Sequence, residues 1–134
     1  MMRIEEYRES LEKFLDRCNM FENYTVNAFV SDKKQVEEFH TKILKPILKD
    51  KSYANIEVDR NKSHTIVKFP TGSTFTLDIA DNRFAGNHTN VLMVNSSVED
   101  MSPFYGCIIE YINSNDVHML NPKPIFFDLE ELNE

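Results

Sequence analysis

Apolar residues near the start of the chain recur at steps of three and four positions, with charged residues between them. This spacing places side chains on one face of an α-helix. It predicts an amphipathic first helix with a buried side formed by Ile4, Tyr7, Leu11, Phe14, Leu15 and Cys18. Residues 24–30 are rich in β-branched and aromatic side chains, so they predict a buried strand.

A second helix is predicted directly after this strand. Ser31 and Asp32 can cap its first turn, and Gln35 follows Asp32 at the spacing of a capping box. Pro46 has no backbone N–H, so we expect it to kink or shorten the helix. The buried stripe of this helix is predicted to be Val36, Phe39, Ile43 and Ile47.

The middle of the chain changes to a period of two, which is typical of strands. Residues 56–58 alternate, and residues 64–69 and 74–79 do so on either side of a Pro70–Ser73 turn. Gly72 supplies the dihedral freedom that such a turn requires, so a β-hairpin is predicted. Residues 80–90 are polar and predict a loop.

The last third of the chain predicts one more helix and several short strands. Residues 91–94 are continuously apolar, as in a strand buried on both faces. Ser102 and Pro103 form a helix-start signal, and the apolar face of that helix is predicted to be Phe104, Ile108, Tyr111 and Ile112. Residues 117–120 and 125–129 predict closing strands. The element order predicts a single α/β domain over residues 1–134, of the three-layer type, with helices flanking a mixed sheet.

The net charge of −7 is concentrated near the C-terminus. Residues 1–95 carry 14 basic and 14 acidic side chains, whereas residues 96–134 carry eight acids against Lys123 alone. Such a field repels nucleic-acid phosphates and attracts basic protein surfaces, so direct nucleic-acid binding is not expected. The alternative is an acidic end that only keeps the chain soluble.

The composition predicts a cytoplasmic protein. The first ten residues carry acids and lack the apolar run of a signal peptide. No apolar stretch approaches the ~20 residues that span a bilayer, so no membrane association is expected. Cys18 and Cys107 lie far apart, which favours reduced core thiols over a disulfide.

Several short motifs occur in an order that resembles a known class of motor. They are residues 26–39 (VNAFVSDKKQVEEF), 69–75 (FPTGSTF), 83–86 (RFAG) and 90–95 (NVLMVN). Together they resemble the RecA-like ATPase core of phage terminase large subunits and related helicase motors, over about residues 24–112. In that family a hairpin precedes an arginine-glycine element and a buried strand that ends in the Asp-Glu of Walker B. The resemblance implies a RecA-like scaffold and a phage-encoded protein.

Two departures from the family pattern remove the expected chemistry. The phosphate loop Gly-x-x-x-x-Gly-Lys-Ser/Thr cannot be written anywhere, because the chain has only three glycines. The Walker B carboxylates fall on Asn95 and Ser96, and neither side chain can hold Mg²⁺ well or act as a general base. We therefore expect a degenerate core that is not an enzyme and uses no cofactor.

Other candidate residues lie in the polar loop and at the C-terminus. Asp78, Asp81 and His88 are the best candidates for a metal site, although ordinary polar loop residues are the simpler interpretation. Residues that could contact a partner are Phe84, Asp128, Glu130, Glu131 and Glu134. Residues 125–132 mix apolar residues with acids, which suits either a docked edge strand or a segment that contacts a partner.

The sequence predicts a non-catalytic protein-binding or regulatory protein, such as an inhibitor, that docks on a basic protein surface in the host cytoplasm. One alternative is an acidic mimic of nucleic acid that blocks a DNA-binding enzyme. Another is a small metal-dependent phosphoesterase or nucleotide-binding protein.

Overall fold

The structure is a computed structural model that describes residues 3–81, 87–109 and 124–133. Its α-helices are Ile4–Met20 (α1), Lys33–Phe39 (α2) and Lys45–Lys51 (α3), and a π-helical turn, His40–Leu44, joins α2 to α3. The strands are Thr25–Val30 (β1), Glu57–Arg60 (β2), His64–Lys68 (β3), Thr74–Ile79 (β4), His88–Thr89 (β5), Val91–Asn95 (β6), Ile108–Ile109 (β7) and Ile125–Phe127 (β8). Short 3-10 helices occupy Ser102–Phe104 and Leu129–Asn133.

Six of the described strands form one mixed sheet in the order β2-β3-β4-β1-β6-β8. Strands β4, β1, β6 and β8 run parallel, and β2 and β3 extend the sheet as antiparallel strands. Strands β5 and β7 form a separate parallel pair. The predicted α/β class, a mixed sheet with flanking helices, is confirmed. The predicted hairpin is β3–β4.

The main core lies between one face of this sheet and the helices. Tyr7, Leu11, Leu15 and Cys18 of α1 are buried there, as is the predicted stripe of the second helix. The ring of Tyr7 stacks on Phe127 of β8 at 4.2 Å, and Phe39 packs edge-on against both rings. The Tyr7 hydroxyl is 3.7 Å from the sulfur of Met93. This cluster anchors β8 to α1.

The other face of the sheet is covered around Phe29, Leu92 and Val94 by a segment that follows β6. The helix predicted from Ser102 is wrong in this segment. A single 3-10 turn is followed by a tight turn in which Cys107 N–H donates to the Phe104 carbonyl at 3.1 Å, and then by β7, which includes Ile108. Gly106 has φ of 79° in that turn, a conformation that interrupts a right-handed helix. Tyr111, Ile112 and the strand predicted at 117–120 lie outside the described residues.

The predicted second helix corresponds to α2, the π-helical turn and α3 together. It continues past Pro46 with a change of helical pitch. Its N-cap is Asp32, whose Oδ1 accepts the Gln35 N–H at 2.9 Å, as predicted. The Gln35 side chain accepts from Ser31 N–H at 2.8 Å and so caps one residue earlier than predicted. Pro46 cannot donate to the carbonyl of Lys42, four residues before it. The π-helical turn lies there, and Arg8 Nη2 donates to that carbonyl at 3.4 Å.

The hairpin turn is fastened to the end of α1. Ser73 Oγ accepts from Tyr24 N–H at 2.8 Å and donates to the Phe21 carbonyl at 2.6 Å. Thr71 Oγ1 donates to the Cys18 carbonyl at 2.6 Å. Residues 69–75, one of the motor-like motifs, therefore contribute side chains that hold the fold together.

Candidate functional site

The candidate site lies at one edge of the sheet, where strands β1, β4, β6 and β8 end. In open α/β sheets, ligands bind in the crevice outside the carboxyl ends of parallel strands. Because these four strands are mutually parallel, their ends meet at one edge. This edge includes Asn95 and Ser96, the positions that the resemblance assigns to Walker B.

Asn95 has its side chain fully engaged in structure. It is 2% exposed, and its Oδ1 accepts from Leu129 N–H at 2.9 Å. Its Nδ2 donates to Ser97 Oγ at 2.6 Å. The Ser96 side chain is exposed, while its N–H donates to the Phe127 carbonyl at 2.7 Å. These two residues join β6 to β8 and to the 3-10 helix that follows it.

A hydroxyl network continues from Asn95 across the edge. Ser97 Oγ lies 2.6 Å from Ser31 Oγ and donates to Gln35 Oε1 at 2.9 Å. The Gln35 side chain also accepts from Ser31 N–H. Three polar side chains of three different segments therefore satisfy one another, and the network links the ends of β1 and β6 to the start of α2.

Two open pockets lie near this edge and share Asp81 in their linings. One, of about 370 Å³, is lined by hydroxyls and by the carboxylates Asp81, Glu99 and Asp100. The other, of about 270 Å³, is lined in part by Asn27, Asp78 and Asp81. The Ser102 N–H, which donates to Asp100 Oδ1 at 2.9 Å, lowers the pKa of that carboxyl. This shift moves the pKa of Asp100 further from neutrality, whereas a general acid or base works best with a pKa near the operating pH.

The candidate metal ligands are only partly brought together. Asp78 and Asp81 share a pocket wall, but Asp78 Oδ1 already accepts from Ile79 N–H at 2.7 Å. His88 lies on β5 and does not line that pocket. Across residues 3–81, 87–109 and 124–133, no three His, Cys, Asp or Glu side chains are grouped as a metal site requires.

The two cysteines are both free thiols, as predicted, and neither is activated. Cys18 of α1 is buried with its Sγ beside the carbonyls of Tyr24 and Thr74, and burial raises its pKa to about 12. Burial also raises the pKa of the half-buried Cys107 thiol. A thiolate nucleophile needs the opposite shift.

The acids after β8 have two different roles. Glu131 Oε2 accepts from Ile4 N–H at 2.7 Å and so caps the first turn of α1 from the other end of the chain. Asp128 Oδ1 accepts from Glu130 N–H at 2.9 Å and closes the 3-10 turn. Glu130 itself is exposed, and its side chain forms no hydrogen bond or ion pair within the described residues.

The residue that the sequence did not single out is Phe126. It is 40% exposed, although its neighbours Ile125 and Phe127 point into the main core. A run of three apolar residues followed by an acid was the available signal, since alternation puts the middle one on the opposite face. Phe84 and Glu134, two other predicted contact residues, lie outside the described residues.

Comparison with known proteins adds no family to this picture. No protein-family model, curated protein or solved structure matches the chain. The resemblance to terminase motors therefore stays a prediction. Within the described ranges, no helix is both long and apolar enough to cross a membrane.

Proposed function

We propose that this chain is a non-catalytic protein-binding domain that docks on a basic surface of a partner through the end of β8. The observation that carries the proposal is the coincidence there of a partly exposed aromatic side chain, the last strand of the described sheet and negative charge. Phe126 supplies the ring, and Glu130 supplies an exposed carboxylate four residues later. Aromatic anchors rimmed by charge are typical of protein interfaces.

The surroundings of β8 add to this negative field. The hydrogen bond between Glu131 and Ile4 holds the start of α1 beside the last 3-10 helix. Glu5 and Glu6 in the first turn of α1 are both exposed. We name the set Glu5, Glu6, Asp128, Glu130 and Glu131 the acidic end. Its charge would steer a basic partner toward Phe126.

The engaged side chain of Asn95 supports the non-catalytic part of the proposal. A motor needs a free carboxylate at the end of β6 to hold metal or activate water. Here an amide stands at that position, and both its oxygen and its nitrogen are bonded to neighbouring segments. The order of the motor-like motifs supports a further part, namely that the domain is a degenerate RecA-like scaffold encoded by a phage and acting as a regulator in the host cytoplasm.

The test is a pull-down from a bacterial lysate with a double variant, Phe126→Ser with Glu130→Lys. We expect the variant to lose any specifically retained protein. Asp128 and Glu131 are left unchanged, because both carboxylates accept structural hydrogen bonds. The matched control is Met20→Ser with Glu22→Lys, since both residues are exposed and lie at the far end of α1.

Two results would contradict the proposal. One is a partner that is retained equally by wild type, the β8 variant and the control. The other is hydrolysis of ATP by the purified chain that is lost in an Asn95→Leu variant, because that would place catalysis at the end of β6.

A further inference from the structure

The backbone of β8 has one edge that faces away from the rest of the sheet. Among the described strands, β8 pairs with β6 alone and stands last in the order. The Phe127 carbonyl points toward β6, because it accepts from Ser96 N–H at 2.7 Å. Adjacent residues of a strand direct their backbone groups to opposite edges, so the N–H and C=O of Phe126 point outward. An outward pair of this kind is a template for another strand.

The side chain of the same residue offers an apolar contact beside that edge. Phe126 lies opposite Val94 in the register of β6 and β8, on the face away from α1. Phe127 on the other face is buried under Tyr7, so the strand is held rigidly from behind. A strand added at the outer edge would therefore place one side chain against an ordered aromatic ring.

The negative charge near the outer edge of β8 indicates which kind of peptide would bind there. The acidic end contributes five carboxylates, and the guanidinium of Arg3 lies 3.9 Å from the carboxylate of Glu5. An extended peptide with lysines or arginines would complement this charge, whereas an acidic peptide would be repelled.

We infer that β8 binds a basic, extended segment of a partner protein as an added β-strand, with the N–H and C=O of Phe126 pairing to its backbone. The inference rests on the proposed protein-binding function and names the form of the ligand. Backbone hydrogen bonds supply affinity in this mode, and side-chain contacts supply specificity.

The probe is a synthetic eight-residue peptide of alternating Lys and Val, carrying a fluorophore for anisotropy titrations at low salt. The first control peptide has the same side chains but an N-methyl group on every backbone nitrogen, so it keeps the charge and has no N–H on either edge with which to pair as a strand. The second alternates Glu and Val. We expect the unmethylated Lys-Val peptide to bind at least about tenfold more tightly than either control, because each lacks one of the two contributions.

Variants of the chain test the same contacts from the other side. Phe126→Pro removes both the ring and the outward N–H, and Pro is tolerated on an edge strand where the N–H faces outward. We expect at least about tenfold weaker binding of the Lys-Val peptide. Phe126→Ala keeps the N–H and should lie between this variant and wild type. Glu130→Lys should weaken binding about threefold, because one exposed charge contributes little. Thermal unfolding of each variant checks that it is folded.

Hydrogen exchange at the Phe126 amide distinguishes strand pairing from a general attraction between charges, because only pairing protects that N–H. The Phe126 amide should exchange at least about tenfold more slowly with the Lys-Val peptide bound, since a paired N–H is protected. Equal binding of the N-methylated peptide, or no change at the Phe126 amide, would overturn the inference. If the peptide fails to bind while the pull-down still retains a partner that depends on Phe126, strand addition is refuted and the protein-binding function stands.

Discussion

The ends of β6 and β8 lie side by side at one edge of the sheet, but their side chains differ in exposure and in hydrogen bonding. At the end of β6, Asn95 and Ser97 are bonded to each other and to neighbouring segments. At the end of β8, the ring of Phe126 and the carboxylate of Glu130 face solvent. The end of β6, which the resemblance assigns to Walker B, is thus a structural joint, and the end of β8 carries the surface for which we propose a partner.

The difference between the two strand ends lies in what their side chains contact. The Asn95 amide offers a donor as well as an acceptor, whereas an ionised carboxylate would only accept, and both are used to join segments. A buried polar group with both partners satisfied adds rigidity, whereas one left half-satisfied is costly. An amide at this position therefore suits a joint between β6 and the last 3-10 helix.

The largest expected effect on the free energy of unfolding distinguishes the two phenylalanines of β8, which lie on opposite faces of the sheet. Phe127→Ala should lower the free energy of unfolding by about 3–5 kcal/mol, because it opens a cavity among Tyr7, Phe39 and the sheet. Phe126→Ala should lower it by only about 1–2 kcal/mol, because the side chain is already 40% exposed. Urea unfolding followed by circular dichroism measures both. Similar losses for the two variants would mean that the outer ring is needed for folding, and the comparison would fail.

The next largest effect tests the joint at the end of β6. Asn95→Leu should cost about 1–3 kcal/mol, because the buried Leu129 N–H loses its acceptor. Ser96→Ala should change stability by less than about 0.5 kcal/mol, because its hydroxyl is exposed. Chemical denaturation of the two variants gives the contrast. A stable Asn95→Leu protein would show that the amide is not the joint that its hydrogen bonds indicate.

Elements set by nearby residues were predictable from the sequence. The periodicity of α1 and the alternation of the hairpin are carried by the residues of those elements, so both were placed to within two residues. The helix predicted from Ser102 failed because Ser-Pro also begins a short 3-10 turn. Gly106, with its positive φ, then turns the chain before a longer helix can form.

The candidate site depended on contacts between distant parts of the chain. The partner of Asn95 is Leu129, and the partner of Glu131 is Ile4, which lies 127 residues away in sequence. No local pattern indicates that Glu131 caps a helix, so its charge alone led to its prediction as a contact residue. Phe126 was overlooked for the converse reason, since only its place on the outermost described strand makes its exposure meaningful.

The smallest expected effect on stability distinguishes two acids that follow β8, Glu131 and Glu130. Glu131→Ala should lower the free energy of unfolding by about 1 kcal/mol, the usual loss when a helix N-terminus loses a side-chain cap. Glu130→Ala should leave stability unchanged to within about 0.5 kcal/mol, because its side chain has no partner among the described residues. In the peptide titration we expect the opposite order of effects. Glu130→Ala should weaken binding of the Lys-Val peptide more than Glu131→Ala does, while leaving the fold intact. Stability differences of this size require urea midpoints measured side by side with a common slope. If Glu131→Ala were neutral in stability and Glu130→Ala were not, the division of the two acids between structure and recognition would have to be exchanged.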